Sequence, residues 1–294
     1  GNWTRVTGTH YLTCANAPQP AQPTGGLIVA RITTLVGNIT GVFPFDTRRP
    51  LPGLLLAKGF PGADFGAQFN AAVDACAEFR TQPASSNGRG ACTILIPPGT
   101  YSVSTEMALD NNQIIVWGYG ATIQTSGAIS GLHISGIGFG GPSAVYGLKI
   151  DHRANATAIA GIRIRNTQNI LVKHVMVHAG NGTSATYAGV LLEQSDPANG
   201  ATGPILTNIE NLGVGGVTGA DVQYGVLIRG ASNGTNILGG ELANCVICVG
   251  LENQSGASND PPNATTIHNV AFEGYTTAVR VNAAATGNLA GLRL

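Results

Sequence analysis

The sequence predicts an all-β protein whose main body is a parallel β-helix, with an N-terminal capping helix and a small N-terminal β segment. Three observations predict this architecture: a glycine-rich composition of low charge, one amphipathic helix, and a strand motif that repeats towards the C-terminus. The 294 residues include 42 glycines, and charged residues make up 10% of the chain, against roughly 25% in typical soluble domains. This composition favours short strands joined by tight turns over a helical fold.

The charges of the chain balance, with 15 Lys and Arg against 15 Asp and Glu. A nucleic acid or an anionic membrane surface therefore has no electrostatic support as a partner. No apolar run reaches the ~20 residues of a membrane-spanning helix, so no membrane insertion is expected. The sequence implies no cofactor and no metal site.

The N-terminal segment, residues 1–57, is predicted to be a separate small β-rich attachment segment. Two apolar-alternating runs flank Gly37-Asn38, which is a turn signal for a two-residue β-hairpin. The stretch DTRRPLPG then reads as a linker, and residues 58–294 are predicted to form the β-helix domain.

The capping helix is predicted at about residues 64–80, with Asp64 as its N-cap. Its apolar residues recur at helical spacing and form one stripe: Phe65, Phe69, Val73, Cys76 and Phe79. Such a stripe needs an apolar surface, and the first coil of a β-helix has an open apolar end. We therefore expect the helix to cover that end and to block edge-on association there.

Two short motifs alternate along the coils, which are predicted over about residues 92–294. The first is Gly-apolar-x-apolar, starting at Gly131, Gly161, Gly189 and Gly225. The second is apolar-x-(Asn/Gly)-apolar-x-apolar, at 145–150, 209–214 and 267–272. Stacked repeats of this length predict a parallel β-helix with an interior apolar column. Residues 289–294 read as a further copy, so we expect the stack to continue or to be covered at that end.

The register of the stack follows from the position four residues after each glycine. That position reads Ser135, Arg165, Glu193, Arg229, Glu252 and Asn282, and its charges alternate in sign. We expect Arg165 beside Glu193 and Arg229 beside Glu252, as exposed structural pairs worth only ~0.2–1 kcal/mol each. Four side chains should then face inward: Val190, Leu192, Val226 and Ile228. Lys173 and Glu210 are likewise expected to form a surface ion pair.

Three stretches resemble the entry segment of the pectate-lyase-like right-handed β-helix superfamily, which includes rhamnogalacturonase-type proteins and phage tailspikes. They are ADFGAQFNAAVDAC, CTILIPPGTYSVSTEMAL and IIVWGYGATI. The resemblance covers about residues 58–294. It implies a single-stranded right-handed β-helix, a secreted or virion-borne and hence extracellular protein, frequent trimers, and polysaccharide as substrate.

Two functions follow as hypotheses. The leading one is an extracellular carbohydrate-active β-helix that binds or depolymerises a polysaccharide, as a hydrolase or a lyase. The alternative is a non-catalytic structural or adhesive β-helix that forms a trimer, a fibre or an end-to-end filament. The paired acids of polygalacturonases and the acidic group of a calcium site are not visible in the repeats, which weighs against those two chemistries.

The candidate site lies in three long connections, 151–160, 178–188 and 215–224, which are expected on one side of the stack. Its catalytic candidates are Asp151, His178 and Asp221, and its substrate-binding candidates are Arg153, Tyr187 and Tyr224. Asp151 and His178 occupy the same repeat position in adjacent coils, so they would form an acid/base unit in which the carboxylate favours the charged imidazole. The tyrosines would be platforms for sugars, and Arg153 would bind an acidic sugar. The alternative is that all of these are solvated loop residues.

The cysteines yield one expected disulfide. Cys76 lies on the capping helix and Cys92 opens the first coil strand, so a disulfide between them is expected. Cys245 and Cys248 lie in a strand, where three residues of rise separate the Cα atoms by ~10 Å, so buried packing is favoured over a bridge. No second cysteine pair exists that would complete a zinc site.

Overall fold

The structure is a computed structural model, and it describes eleven segments of the chain. They are residues 30–35, 38–44, 54–78, 92–110, 114–136, 143–179, 186–194, 203–216, 222–254, 262–282 and 292–294. Asp221, Phe79 and the linker before residue 54, on which parts of the sequence analysis rest, lie outside these residues.

The described residues form one α-helix, one short 3-10 helix and a series of strands. The helix α1 is Phe65–Glu78, and the 3-10 helix is Ala57–Gly59. The strands in chain order are β1 Ala30–Leu35, β2 Asn38–Pro44, β3 Leu54–Leu56, β4 Cys92–Leu95, β5 Gly99–Val103, β6 Ala108–Leu109, β7 Ile114–Trp117, β8 Ala121–Thr125, β9 Leu132–Ser135, β10 Ser143–Tyr146, β11 Lys149–His152, β12 Ala160–Arg165, β13 Gln168–Lys173, β14 Met176–Ala179, β15 Ala188–Glu193, β16 Ile205–Gly215, β17 Val222–Arg229, β18 Asn236–Ala243, β19 Cys245–Glu252, β20 Thr266–His268, β21 Ala271–Glu273 and β22 Thr277–Asn282.

The strands from β3 onward stack in parallel and make three faces, as in a parallel β-helix. Face 1 is β3, β4, β7, β10, β13, the first halves of β16 and β18, and β20. Face 2 is β5, β8, β11, β14, the second halves of β16 and β18, and β21. Face 3 is β6, β9, β12, β15, β17, β19 and β22. The predicted fold class, an all-β parallel β-helix with a capping helix, is therefore confirmed.

The register of face 3 is the one that the repeat predicts. Arg165 is the partner of Glu193, and Arg229 is the partner of Glu252. The four side chains expected to face inward, Val190, Leu192, Val226 and Ile228, are fully buried in the main apolar core. Alternation with a period of two thus separates an interior column from an outer surface.

The bend between faces 1 and 2 explains the second motif. Its central residue has a positive φ in successive coils: 69° at Gly147, 54° at His174, 51° at Asn211, 67° at Gly239 and 55° at Asn269. Left-handed backbone favours Gly and Asn, so the Asn/Gly position of the motif is the corner of the coil. His174 occupies the same corner without being Gly or Asn.

Helix α1 begins at a capped residue, as predicted. The Ala67 amide donates to Asp64 Oδ1 at 2.8 Å, and Asp64 Oδ2 accepts from the amide of Thr105 at 2.8 Å. The cap therefore also fastens the helix to the coil connection at Ser104 and Thr105. A Cβ on Gly66 would lie 2.0 Å from the Thr105 carbonyl oxygen, so this approach requires glycine.

The apolar stripe of α1 covers the first coil. Phe65, Phe69, Val73 and Cys76 are buried in the same core cluster as the inward residues of β4, and Phe65 stacks on Tyr101 at 4.0 Å between ring centroids. Cys76 and Cys92 form a disulfide with Cα atoms 5.8 Å apart, the pairing that the sequence suggested. The helix thus closes one end of the stack.

The N-terminal hairpin is present, and β1 pairs with β2 antiparallel, with Leu35 opposite Asn38. Strand β3, however, pairs in parallel with β4, so residues 54–56 belong to the β-helix sheet. The predicted boundary at residue 57 placed these three residues in the attachment segment. The division into two domains itself stays a prediction. Among the described helices, none has the length and apolarity needed to cross a membrane.

Candidate functional site

The described residues form an open cleft of about 710 Å³ at one edge of face 2. It is lined by Ser102, Gln124, Thr125, Ser126, Gly127, Asp151, Arg153, Ala154 and Asn155. Ser102, Gln124 and Asp151 are successive register partners on the outer surface of β5, β8 and β11. Hydroxyl and amide side chains, those of Ser102, Gln124 and Ser126, form part of the exposed lining, so the cleft offers some hydrogen bonds to a polar ligand.

One wall of the cleft is the connection after β11, and its own hydrogen bonds hold it. The side-chain Nδ2 of Asn155 donates to Thr125 Oγ1 at 2.8 Å and to the Gly127 carbonyl oxygen at 2.9 Å. Asn155 Oδ1 in turn accepts from the Thr157 amide at 3.1 Å. The wall is therefore fixed to the coil below it rather than free in solvent.

Asp151 and Arg153 form a bidentate ion pair in the cleft. Arg153 Nε donates to Asp151 Oδ1 at 2.9 Å, and Arg153 Nη2 donates to Oδ2 at 2.7 Å. These hydrogen bonds hold the pKa of Asp151 far below its usual range, against the opposing effect of burial. The Asp151 carboxylate stays ionised, so it does not serve as a general acid. The Arg153 side chain is 53% exposed, and its pKa is raised by the same pair.

His178 is the register partner of Asp151 in the next coil, as predicted. Both residues lie in strands, β11 and β14, whereas the sequence analysis placed them in long loops. The pKa of His178 is lowered, first by burial and then by the cationic Lys149 and Arg153, and Asp151 opposes this only in part. Asp151 does favour the charged imidazole, as expected, but burial and the cations Lys149 and Arg153 outweigh it, so the pKa of His178 is lowered. His178 is neutral near pH 7.

Tyr187 does not line the cleft. It is fully buried inside the coil, and its hydroxyl is 3.0 Å from Nδ1 of the equally buried His152. Burial raises the pKa of Tyr187 and lowers the pKa of His152 to about 4. The predicted role of Tyr187 as a sugar platform is wrong, because its ring points into the interior of the coil and has no exposed surface.

Tyr224 lies on another part of the molecule. It is on β17 in face 3, where it packs with Leu191 and Leu227 in a second apolar cluster. Its hydroxyl donates to Glu252 at 2.9 Å and accepts from Arg280 at 2.5 Å. Face 3 does not carry the cleft, so the predicted common surface of Asp151, His178 and Tyr224 is not formed. Asp221 lies outside the described residues, and its catalytic role stays a prediction.

Face 3 carries a charged cluster that the sequence analysis interpreted as exposed. Glu193 is 1% exposed, and its carboxylate is held by three guanidinium groups, from Arg163, Arg165 and Arg229. Burial raises the pKa of Glu193, but the hydrogen bonds and charges of Arg229 and Arg163 outweigh it, so the pKa is lowered. The register was right, but the exposure was wrong, because Arg163, two residues before Arg165, also reaches the carboxylate. Arg229 also pairs with Glu193, whereas its register partner Glu252 pairs with Arg280. The ion-pair partners of the Glu193 carboxylate are arginines of the same β-helix, so the cluster has a structural role.

The remaining predicted side chains behave as ordinary structure. Lys173 and Glu210 form the expected ion pair, 2.7 Å apart and partly exposed. Cys245 and Cys248 are buried on β19 and form no disulfide, which confirms packing rather than a bridge. No group of three His, Cys, Asp or Glu side chains suited to a metal ion occurs in the part of the chain that the structure describes.

Two sets of outward side chains were not predicted from the sequence. One is the polar lining of the cleft on face 2, such as Gln124 and Ser126. The other is an aromatic group at the corner between faces 1 and 2, formed by Trp117, Tyr119 and the half-buried Tyr146. The available signal was positional: Trp117 and Tyr146 occupy the outward position that Lys173 and Glu210 occupy in later coils.

Comparisons with known proteins do not assign this chain to a family. No protein-family model matches the chain, and no curated protein matches it. Among solved structures, ORF18 of Geobacillus virus E2 matches with a TM-score of 0.38 and 10% identity, over 78% of this chain and 60% of that one. The A-module of the mannuronan C-5 epimerase AlgE4 from Azotobacter vinelandii matches with a TM-score of 0.19 and 10% identity, over 81% and 99%. This chain thus spans 60% of the length of the phage protein. At this similarity the functional site has to be argued from the residues of this chain alone.

Proposed function

We propose that this β-helix binds a polysaccharide in the cleft around Arg153. The observation that carries the proposal is the lining of that cleft, in which hydroxyl and amide side chains surround a half-exposed guanidinium that Asp151 holds in place. Its volume of about 710 Å³ lies in the range of ligand sites. The cleft is open, which suits a segment of a longer chain better than an enclosed small molecule.

Electrostatics supports a sugar chain over a nucleic acid. The chain carries no net charge, and Asp151 compensates the cation in the cleft. Nucleic-acid sites depend on several uncompensated Lys or Arg side chains that replace counterions. A sugar needs directed hydrogen bonds instead, and a bidentate ion pair fixes the remaining N–H donors of Arg153 for that purpose.

Cleavage of the bound chain is the second part of the proposal. The neutral imidazole of His178 lies beside the cleft, one coil from Asp151, and is suited to accept a proton near pH 7. Asp151 remains an anion and positions Arg153. Glycoside hydrolysis by two carboxylates would require a partner acid outside the described residues. An elimination on a uronate would require a base that takes the proton next to the carboxylate, a cation that stabilises the resulting charge, and a proton returned to the leaving oxygen by the protonated base or by water.

The Cys76–Cys92 disulfide supports an extracellular location, because structural disulfides persist in oxidising compartments. An oligomer, as a trimer or an end-to-end assembly, also remains part of the proposal.

The test of binding is affinity electrophoresis in gels cast with dextran, galactomannan, polygalacturonate or alginate. We expect one polymer to retard the wild-type protein and Arg153→Ala to weaken that retardation about tenfold. Lys58→Ala is the matched control, since Lys58 is an exposed cation on the 3-10 helix. Gln124→Ala, which leaves the ion pair intact, should also weaken binding. Equal retardation of wild type, Arg153→Ala and Gln124→Ala would reject the cleft.

The same polymer serves to test cleavage. A viscosity that falls with wild type and stays constant with His178→Ala would support the proposed base. Loss of viscosity at the same rate with His178→Ala would remove this residue from the chemistry.

The structural alternative has its own supporting observation. Val281 on β22 is 47% exposed, while its register partner Leu251 is fully buried. An apolar position exposed on the outermost described strand of face 3 favours contact with another coil. Regular filaments seen by electron microscopy, and dispersed by Val281→Lys, would favour this alternative. Monodisperse wild-type particles that bind a polymer would oppose it.

A further inference from the structure

The corner between faces 1 and 2 carries three aromatic side chains that point outward and form an aromatic ridge: Trp117, Tyr119 and Tyr146. The ring of Trp117 is 5.1 Å from that of Tyr119 and 5.3 Å from that of Tyr146, between centroids. Trp117 is 44% exposed and Tyr119 is 40% exposed. A cluster of exposed large aromatic rings is unusual on a chain with only 6% aromatic residues, and it marks a binding surface.

The ridge is held rigid by the coil beneath it. Trp117 and Tyr146 are register partners on β7 and β10, so their rings lie next to each other in adjacent coils, tilted by 40°. The ring of Tyr119 lies against the backbone of Gly147, where an added Cβ would be 2.3 Å from the ring. The Tyr119 hydroxyl is hydrogen-bonded to His174 Nδ1 at 2.5 Å. The ridge is therefore in place before a ligand arrives, which lowers the entropic cost of binding.

The exposed area of the ridge suits a small ligand. A Trp or Tyr side chain has roughly 150–250 Å² of surface, so Trp117 and Tyr119, each exposed to about 40%, offer roughly 60–100 Å² each, and the half-buried Tyr146 adds less. A stable protein interface needs about 800 Å² on each partner. The ridge alone is too small for a second copy of this chain or another protein to bind stably.

The surroundings of the ridge fit a sugar. The partly exposed ion pair of Lys173 and Glu210 continues the same outward row beyond Tyr146. The ridge is thus an apolar platform next to polar groups. A pyranose has the complementary character, with an apolar face of C–H groups and a rim of hydroxyls.

We propose that the aromatic ridge is a saccharide subsite that binds the C–H face of a pyranose ring, with its hydroxyls directed to Lys173 and Glu210. The inference rests on the proposed polysaccharide function and extends it. Strand β8 leads from the ridge to the cleft, and its five residues span roughly 15 Å. The outward side chains between them are Thr122, Gln124 and Lys149. One sugar chain would then cross face 2 from the ridge to Arg153.

The chain offers a direct optical probe of this subsite. It contains two tryptophans, Trp3 and Trp117, so Trp3→Phe leaves Trp117 as the sole tryptophan. This variant is titrated with hexasaccharides of dextran, galactomannan, polygalacturonate and alginate, and its emission is recorded. We expect one sugar to shift the emission, and Tyr146→Ala in the same background to weaken that binding about tenfold. Tyr275→Ala is the matched control, since Tyr275 is similarly exposed but lies after β21.

The outcomes separate the ridge from the cleft. Binding that is weakened by Arg153→Ala while Trp117 emission and Tyr146→Ala have no effect would overturn the ridge and leave the cleft intact. A Trp117 response that Arg153→Ala does not alter would support the ridge and overturn the cleft. No binding of any of the four sugars would overturn both. A dimer that Tyr146→Ala dissociates would identify the ridge as a self-association surface and overturn the proposal.

Discussion

At the scale of single residues, the buried carboxylate of Glu193 illustrates how this chain uses its few charges. Three arginines from β12 and β17 hold it at a position where the side chain is 1% exposed. Removing one partner of a buried ionic cluster leaves the other charges uncompensated, which costs more than the cluster contributes relative to an apolar core. The cluster therefore ties three coils together on the outside of face 3.

We expect Glu193→Gln to lower the free energy of unfolding by about 3 kcal/mol, because three guanidinium groups lose their counter-charge. Glu210→Gln is the matched control, since Glu210 pairs with Lys173 at the surface and should cost under about 1 kcal/mol. Urea denaturation followed by circular dichroism measures both. Equal midpoints for the two variants would show that the Glu193 cluster is no more stabilising than a surface pair.

The buried pair of His152 and Tyr187 predicts an acid-sensitive core. Burial lowers the pKa of His152 to about 4, with Asp151 opposing, while an unfolded chain has a His pKa of about 6.5. As the pH falls below 6.5, His152 binds a proton in the unfolded state but not in the folded state, so the free energy of unfolding decreases. The folded state begins to take up the proton only near pH 4.

Between pH 7 and pH 5 this linkage amounts to about 2 kcal/mol. We expect His152→Gln, whose side-chain amide retains a hydrogen-bonding group for Tyr187, to reduce the loss of unfolding free energy between pH 7 and pH 5 by that amount. His268→Gln should leave the decline unchanged, because His268 is exposed. The free energy of unfolding at pH 7, 6 and 5 is the measurement. If the free energy of unfolding depends on pH in the same way in wild type and His152→Gln, His152 is not held neutral in the folded state.

At the scale of elements, the cap of α1 joins the helix to the coil that it covers. Asp64 accepts the Ala67 amide inside the helix and the amides of Ser104 and Thr105 outside it. We expect Asp64→Ala to cost about 2 kcal/mol, at the upper end of the range for an N-cap, because these further hydrogen bonds are lost as well. Asp74→Ala is the control within the same helix, since Asp74 is exposed. The melting temperature of Asp64→Ala should be clearly lower than that of Asp74→Ala. Equal melting temperatures would contradict the role of Asp64 as the cap.

The same elements show what a sequence pattern can predict. The helix stripe, the corner residues such as His174, and the partners Arg165 and Glu193 all follow from periodicity, because spacing along the chain fixes which positions stack. The pairing of β3 with β4 was missed because a strand of three residues is too short to show an alternation of apolar and polar side chains. Tyr187 was misassigned for a similar reason: its place relative to the coil interior depends on where the connection ends and β15 begins.

The site was less predictable than the fold. Asp151, Arg153 and His178 do lie together, since their positions are set by the register of β11 and β14. Their charge states were not accessible, because burial lowers the pKa of His178 first and the nearby cations Lys149 and Arg153 lower it further. Tyr224 was assigned to the same groove from loop length alone, and loop length does not say which face a connection joins.

At the scale of the whole molecule, the outer faces and the interior differ in role. Face 3 holds the buried charge cluster, the interior column provides the apolar core, face 2 carries the polar cleft, and its corner with face 1 carries the aromatic ridge. The cleft and the aromatic ridge lie at opposite ends of β8. The central claim is that a sugar chain binds along face 2.

Hydrogen–deuterium exchange with and without the polymer that retards the protein in gels tests this claim most directly, because it locates the bound chain without any substitution. The account predicts slower exchange in peptides covering residues 114–127 and 146–157, with little change in β12, β15 and β17. Protection concentrated in β12, β15 and β17 instead, or none in residues 114–127 and 146–157, would contradict it.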